Sequence, residues 1–150
     1  MFCSTRAGDG WLWAVLGLIL LLARSDESYR ALSASTLAVS AGVTTFLFLK
    51  RVFRRSRPCD VERHCWGNLA PPDRFSFPSG HTITAFAVAV SIGWFYPSAL
   101  SGLLACAVMV ALSRIFLGMH FLSDVLAGAA IGSGLAYWSC RLVESTRQVY

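Results

Sequence analysis

The chain has 150 residues, the length of one domain, but hydrophobic residues make up 55% of it and charged ones only 14%. With a mean hydropathy of +0.57, this balance excludes an ordinary soluble domain and fits apolar runs of membrane length. The net charge of +5 does not point to nucleic acid: the basic residues crowd between Lys50 and Arg57 without a nucleic-acid fold signature, so an anionic lipid head group beside an apolar span is the better partner.

Residues 1–10 are polar and glycine-containing. Trp11 to Ala23 is apolar throughout and ends at Arg24-Ser25-Asp26-Glu27. A helix of that length reaches only about 20 Å, so the crossing is complete if it begins near Gly8; otherwise it is a hydrophobic helix at the membrane edge. Trp11 and Trp13 fit an interfacial belt. The run follows Asp9 and lacks a small-residue exit, so it does not read as a cleavable signal peptide. Ala31 to Leu49 is a second span without a charge, and its Ser, Thr, Ala and Gly content suits close helix packing in lipid.

Lys50 to Phe77 is the one long polar connection. Arg51, Arg54 and Arg55 read as solvated or lipid-facing charges, Arg63 and His64 as loop residues, and Pro71-Pro72-Asp73 as a turn. A helix opens at His81 and leaves at Pro97; Ala99 to Gly118 is a fourth span, with Ser113 and Arg114 near its end. Arginine is costly in hydrocarbon, so Arg114 belongs near the interface or against a polar interior. Phe121 to Cys140 is a fifth span carrying Gly128-x3-Gly132, a helix-contact pattern. Asp124 inside that run implies a partner. The aromatics Phe86, Trp94, Phe95, Phe116 and Trp138 read as lipid-facing or packing groups.

The cysteines, Cys3, Cys59, Cys65, Cys106 and Cys140, show no zinc spacing. Cys106 and Cys140 read as packing residues. Cys59 and Cys65 share one loop, and a bridge between them is possible if that loop faces an oxidising compartment. The architecture expected is all-α: one membrane-embedded domain over residues 1–150, a helix bundle of about five spans. If the spans alternate in direction, the ends carrying Lys50–His81 and Arg114–Asp124 meet at one membrane face.

Three polar islands lie at that face: Lys50 with Arg57-Pro58, then Pro78-Ser79-Gly80-His81, then Ser113-Arg114 with His120 and Asp124. Arg57 and Arg114 can fork onto phosphate oxygens and Lys50 adds a point charge. Ser79 and Gly80 stand where a helix opens, so their N–H groups suit an anion. On a helix beginning near His120, Asp124 lies one turn on and can hold one imidazole nitrogen while the other attacks. His81 remains to protonate a leaving oxygen, and Ser113 has a plainer role as a hydroxyl bonded within its own helix. These parts suit binding a phosphate and breaking its ester bond without a metal or other cofactor.

The spacing K-x6-R-P, P-S-G-H and S-R-x5-H-x3-D resembles the three-part signature of the type 2 phosphatidic acid phosphatase superfamily, over about Gly8 to Cys140. The start departs from it: members usually carry more sequence before their first span, so the chain reads as a short member or one with an incomplete N-terminus. The resemblance implies an integral-membrane phosphatase acting on a lipid phosphate such as phosphatidic acid, phosphatidylglycerol phosphate or a polyprenyl diphosphate. It also implies an order of events: His120 attacks phosphorus, His81 protonates the leaving oxygen, Asp124 orients His120, and Lys50, Arg57, Arg114, Ser79 and Gly80 bind the phosphate. Alternatives are a non-catalytic lipid-binding or translocating membrane protein, or a vanadate-dependent haloperoxidase, which shares the constellation but belongs to large soluble proteins. The resemblance further implies a site facing the periplasm or exterior of a bacterial cytoplasmic membrane, whereas the basic residues from Lys50 to Arg114 favour the cytoplasm by the positive-inside rule.

Overall fold

The computed structural model describes residues 10–58 and 74–146. Cys3, Cys59, Cys65, Arg63, His64 and the Pro71-Pro72-Asp73 turn lie outside them. The described residues form an all-helical bundle: α1 (Leu12–Ala23), α2 (Asp26–Phe53), α3 (Gly80–Phe95), α4 (Leu100–Phe116, entered through a 3₁₀ turn at Pro97–Ala99) and α5 (Leu122–Ser145).

Helix α2 begins at Asp26 rather than Ala31, because Ser25 caps it: the Ser25 hydroxyl accepts the Ser28 N–H at 3.1 Å, and Asp26 and Glu27 occupy the first turn. Its 28 residues rise about 42 Å. It ends where Arg54 turns into the left-handed region at φ 46°, the Arg54 N–H returning to the Lys50 carbonyl at 3.1 Å. Arg24 ends α1 in the same way at φ 49°. Both are non-glycine residues in a conformation that glycine usually supplies.

Helix α3 is the centre of the bundle and packs against α2, α4 and α5. Small side chains make this possible, since Thr82, Ala85, Ala87, Ala89, Ser91 and Gly93 are all buried on it. The Gly128-x3-Gly132 pattern lies on the α3–α5 seam. A Cβ at Gly128 would stand 2.9 Å from the Ser79 carbonyl oxygen, and one at Gly132 would collide with the Ile83 carbonyl oxygen. The two backbones approach this closely only because those side chains are absent.

Trp13 differs from the interfacial belt expected of it. It is buried with Leu20, Ala85, Val88 and Ile92, while Trp11 stays 76% exposed. Cys140 is buried as expected, but Cys106 lies exposed on α4. Phe86 and Phe95 pack against the core, Phe116 and Trp138 face outward, and Trp94 donates its indole N–H to Glu144 at 2.8 Å.

Among the described residues, α2 and the segment Pro97–Phe116 have the length and hydropathy of membrane spans; α1 and α3 are shorter apolar helices. Large apolar side chains ring the outside, among them Ile19, Leu22, Phe48, Val108, Met109, Phe116, Leu126 and Trp138. An outer surface of this kind is stable against hydrocarbon and unfavourable in water.

Candidate active site

The three islands meet at one end of the bundle. Lys50 occupies the last turn of α2, 7% exposed, with its ammonium 5.4 Å from the centroid of the Phe46 ring. The same ring lies 3.4 Å from where a Cβ on Gly80 would be, so Phe46 is a wedge between the first and second islands. Beyond Arg54 the chain runs without helix through Arg55, Ser56 and Arg57. Arg57, 1% exposed, donates to the Met119 carbonyl at 2.9 Å and so ties the first island to the third.

The second island opens α3, with Ser79 as the residue before its first turn. The Ser79 N–H does not point into open space. It donates to the Asp124 carbonyl at 3.1 Å, and its hydroxyl accepts from Thr82 at 2.9 Å. The helix-opening N–H groups next along are those of Gly80 and His81. His81 is partly exposed at this mouth.

In the third island Ser113 bonds back within α4, its hydroxyl donating to the Val110 carbonyl at 2.7 Å. Arg114 is 3% exposed and donates to the Met119 sulfur at 3.5 Å. Gly118, at φ 67°, reverses the chain here. The Met119 and His120 N–H groups then return to the Arg114 carbonyl at 3.1 and 3.3 Å. This turn is what puts His120 beside Arg114.

His120 precedes α5 rather than sitting on it, because Phe121 is the cap and Leu122 the first helical residue. The pairing with Asp124 therefore arises from a cap. Asp124 sits in the first turn and its Oδ2 takes back the Phe121 N–H at 2.9 Å. The same Oδ2 lies 3.7 Å from His120 Nδ1, longer than a hydrogen bond and short enough to close with a small imidazole movement. His120 is 4% exposed, and burial is the main influence holding its pKa below the ordinary 6.5, reinforced by Arg57 and Lys50 and opposed by Asp124. Burial and the two cations thus favour the neutral imidazole, the form with a free ring-nitrogen lone pair.

One residue read from the sequence as a solvated charge is part of this arrangement. The Arg55 guanidinium donates to Asp124 Oδ1 at 2.8 Å and to the Ser123 hydroxyl at 2.7 Å, and its Cζ lies 4.1 Å from the centroid of the Phe121 ring. The available signal was the spacing of Arg55 and Arg57: two residues apart on a non-helical segment, they can point the same way. Beside Arg55, Phe53 and Phe77 wall a cleft of about 370 Å³, their rings edge to face at 4.9 Å.

The geometry defines a helix bundle with buried cations and an imidazole gathered at one end, and the comparisons agree with the helical bundle. The PAP2 superfamily model matches residues 30–148, so the chain belongs to the PAP2 superfamily. It is 30% identical to the lipid A 1-phosphatase of Rhizobium johnstonii over 86% of this chain and 61% of that protein. It is 37% identical to the decaprenylphosphoryl-5-phosphoribose phosphatase of Mycobacterium tuberculosis over 83% of this chain and 66% of that protein. The chain thus spans a little under two thirds of the length of these relatives.

Among solved structures, Aquifex aeolicus LpxE superimposes with a TM-score of 0.77 at 26% identity, covering 93% of this chain and 82% of that one. The Bacillus subtilis transmembrane PAP2-type phosphatidylglycerolphosphate phosphatase gives 0.73 at 26% identity, covering 99% and 75%. Family membership and the apolar helices together make this a membrane protein.

Proposed function

We propose that the chain is an integral-membrane phosphatase, a single domain of about five spans, that removes phosphate from a membrane lipid through a phosphohistidine intermediate. The observation that carries this is the gathering of Lys50, Arg57 and Arg114, each nearly buried, with His120 and Asp124 at one bundle end. Two guanidinium forks and an ammonium beside an imidazole offer the charge-assisted contacts that a phosphate group takes. The relatives' names cover lipid A, a decaprenyl phosphoribose and phosphatidylglycerol phosphate, which differ in lipid and share the phosphate. That range supports the substrate class and leaves the individual lipid open.

In this reading His120 Nε2 attacks phosphorus while Asp124 holds Nδ1–H and supports the imidazolium that forms. His81 gives a proton to the leaving oxygen and then takes one from the water that releases phosphate. Lys50, Arg57, Arg114 and the N–H groups at the start of α3 stabilise the oxygens of the transferring group. The Ser79 amide is already bonded to Asp124, so Gly80 is the better donor and Ser79 serves through the geometry of the helix start. The cations supply the positive charge that a metal supplies elsewhere, so turnover survives chelation. The site faces the exterior of a cytoplasmic membrane, as the family resemblance implies.

The test is phosphate release by the purified protein from a panel of lipid phosphates in detergent, with and without EDTA. Wild-type protein mixed with labelled substrate and quenched in base yields an acid-labile phosphoryl group, and His120→Ala yields neither label nor turnover. Label on a serine, or full activity in His120→Ala, refutes the mechanism.

A further inference from the structure

We propose that Arg55 is a positioning residue: its guanidinium holds the Asp124 carboxylate and, through it, fixes the orientation of His120. The proposal rests on the phosphatase reading for its kinetic consequence and on geometry for the rest.

Three observations carry it. First, the two oxygens of Asp124 are divided between tasks. Oδ2 accepts the Phe121 N–H at 2.9 Å and faces His120 Nδ1 at 3.7 Å, while Oδ1 accepts from Arg55 at 2.8 Å. With Oδ1 held by Arg55 and Oδ2 by the Phe121 N–H, rotation of the carboxylate breaks both bonds, and Oδ2 stays aimed at the imidazole. Second, Arg55 grips the whole first turn of α5: one terminal nitrogen donates to both Ser123 and Asp124, and the guanidinium lies over the Phe121 ring. Third, Arg55 is itself anchored, since its carbonyl accepts the Ser76 N–H at 2.9 Å, where the chain approaches the second island. Arg55 also borders the Phe53–Phe77 cleft.

Arg55 is 40% exposed at its side chain, and an ion pair so open to solvent contributes little to folding. Its effect belongs to the placement of Asp124. Partners that orient a group in direct contact with the reaction typically change activity about 10–100-fold when removed.

The test uses the full chain purified in detergent, with a short-chain phosphatidic acid as the probe and Arg55→Ala, Arg55→Lys and Arg51→Ala as variants. Arg55→Ala lowers kcat about 10–100-fold with KM within about threefold, because a residue that acts only through Asp124 does not touch substrate. Arg55→Lys restores most of the loss, because a single terminal nitrogen makes both bonds. Arg51→Ala, an exposed α2 residue, leaves both constants unchanged. A kcat for Arg55→Ala within threefold of wild type overturns the proposal. So does a KM that rises with kcat unchanged, which would make Arg55 a substrate contact.

A second measurement keeps the inference apart from the phosphatase reading. The ¹⁵N imidazole spectrum, with the His120 signals assigned through His120→Ala, reports the tautomer without turnover. Wild type gives one tautomer with the proton on Nδ1, and Arg55→Ala gives an average of two. Identical tautomers in both proteins overturn the positioning role. If the wild type releases phosphate from no lipid, the phosphatase reading fails while the spectra still decide whether Arg55 fixes His120.

Discussion

Asp124→Asn separates catalysis from folding at this site. The substitution keeps the shape of the side chain and removes its charge. Asp124 accepts on both oxygens, from Phe121 and from Arg55, and stands ready to accept a third proton from His120 Nδ1. An amide offers one acceptor oxygen and an NH₂ that only donates. If the oxygen faces Phe121, the NH₂ meets the Arg55 guanidinium, donor against donor. If the oxygen faces Arg55, the NH₂ meets both the Phe121 N–H and His120 Nδ1. The imidazole then accepts at Nδ1 and carries its proton on Nε2, where the attacking lone pair is needed.

Aspartate-to-asparagine changes with this tautomer consequence lower kcat by about 10⁴ in hydrolytic triads, or about 5 kcal/mol of barrier. The folding cost is far smaller. A first-turn carboxylate is worth about 0.3–1 kcal/mol to its helix. The ion pair, with Arg55 40% exposed, adds about 0–1 kcal/mol. Phosphate release from detergent-solubilised lipid phosphate measures the first effect and thermal unfolding in the same detergent the second. A kcat within about threefold of wild type, with an unchanged melt, would make Asp124 a helix cap and nothing more.

The α3–α5 seam gives a paired packing test: Gly132→Ala forces a Cβ against the Ile83 carbonyl and should cost about 1–3 kcal/mol, whereas Gly134→Ala meets nothing within 4 Å and should melt like wild type. Equal melting of the two variants would mean that the helices do not approach as described. For His120, whose folded pKa lies below 6.5, the unfolded chain binds the proton more readily, so stability falls as pH drops below 6.5 toward the folded value, by at most about 1.4 kcal/mol per unit. Unfolding at pH 5 and pH 7.5 measures this, and His120→Gln, neutral throughout, should flatten the difference; a loss of the same size in His120→Gln assigns it to other groups. For orientation, a membrane-impermeant thiol reagent on intact cells should label the loop carrying Cys59 and Cys65 after reduction and spare Ser145→Cys, and labelling of Ser145→Cys would place the site on the cytoplasmic side.

What the sequence disclosed and what it hid follow from how each feature is encoded. The three islands were legible because lysine, arginine, histidine and aspartate stand out against apolar runs, and their spacing is independent of how the chain turns. That α5 meets a helix closely at Gly128 and Gly132 was legible from their four-residue spacing, but that the partner is α3 came from the structure. The end of α2 was not. Helices commonly announce their ends with glycine, but Arg54 takes the left-handed conformation itself, at φ 46°. The sequence places the end at Leu49, four residues early, and leaves Arg55 in the polar connection as one charge among several. Once the helix is known to stop at Phe53, Arg55 and Arg57 leave the helical register together.

His120 and Asp124 show the complementary case, an expected proximity of 3.7 Å reached from a different geometry. Four-residue spacing suggested one helical face, yet His120 lies ahead of the helix, carried there by the turn at Gly118. Their approach depends on Asp124 folding back to cap the helix it begins, so the same carboxylate closes the first turn of α5 and orients the imidazole. Asp124, which closes this cap, is bound to Arg55 and to the Ser79 N–H, so the segment carrying His120 is tied to the first two islands by bonds of 2.8 and 3.1 Å. Under the proposed mechanism, catalysis through this imidazole depends on the first turn of α5 staying formed, and loosening that turn should lower kcat before it lowers the melting temperature.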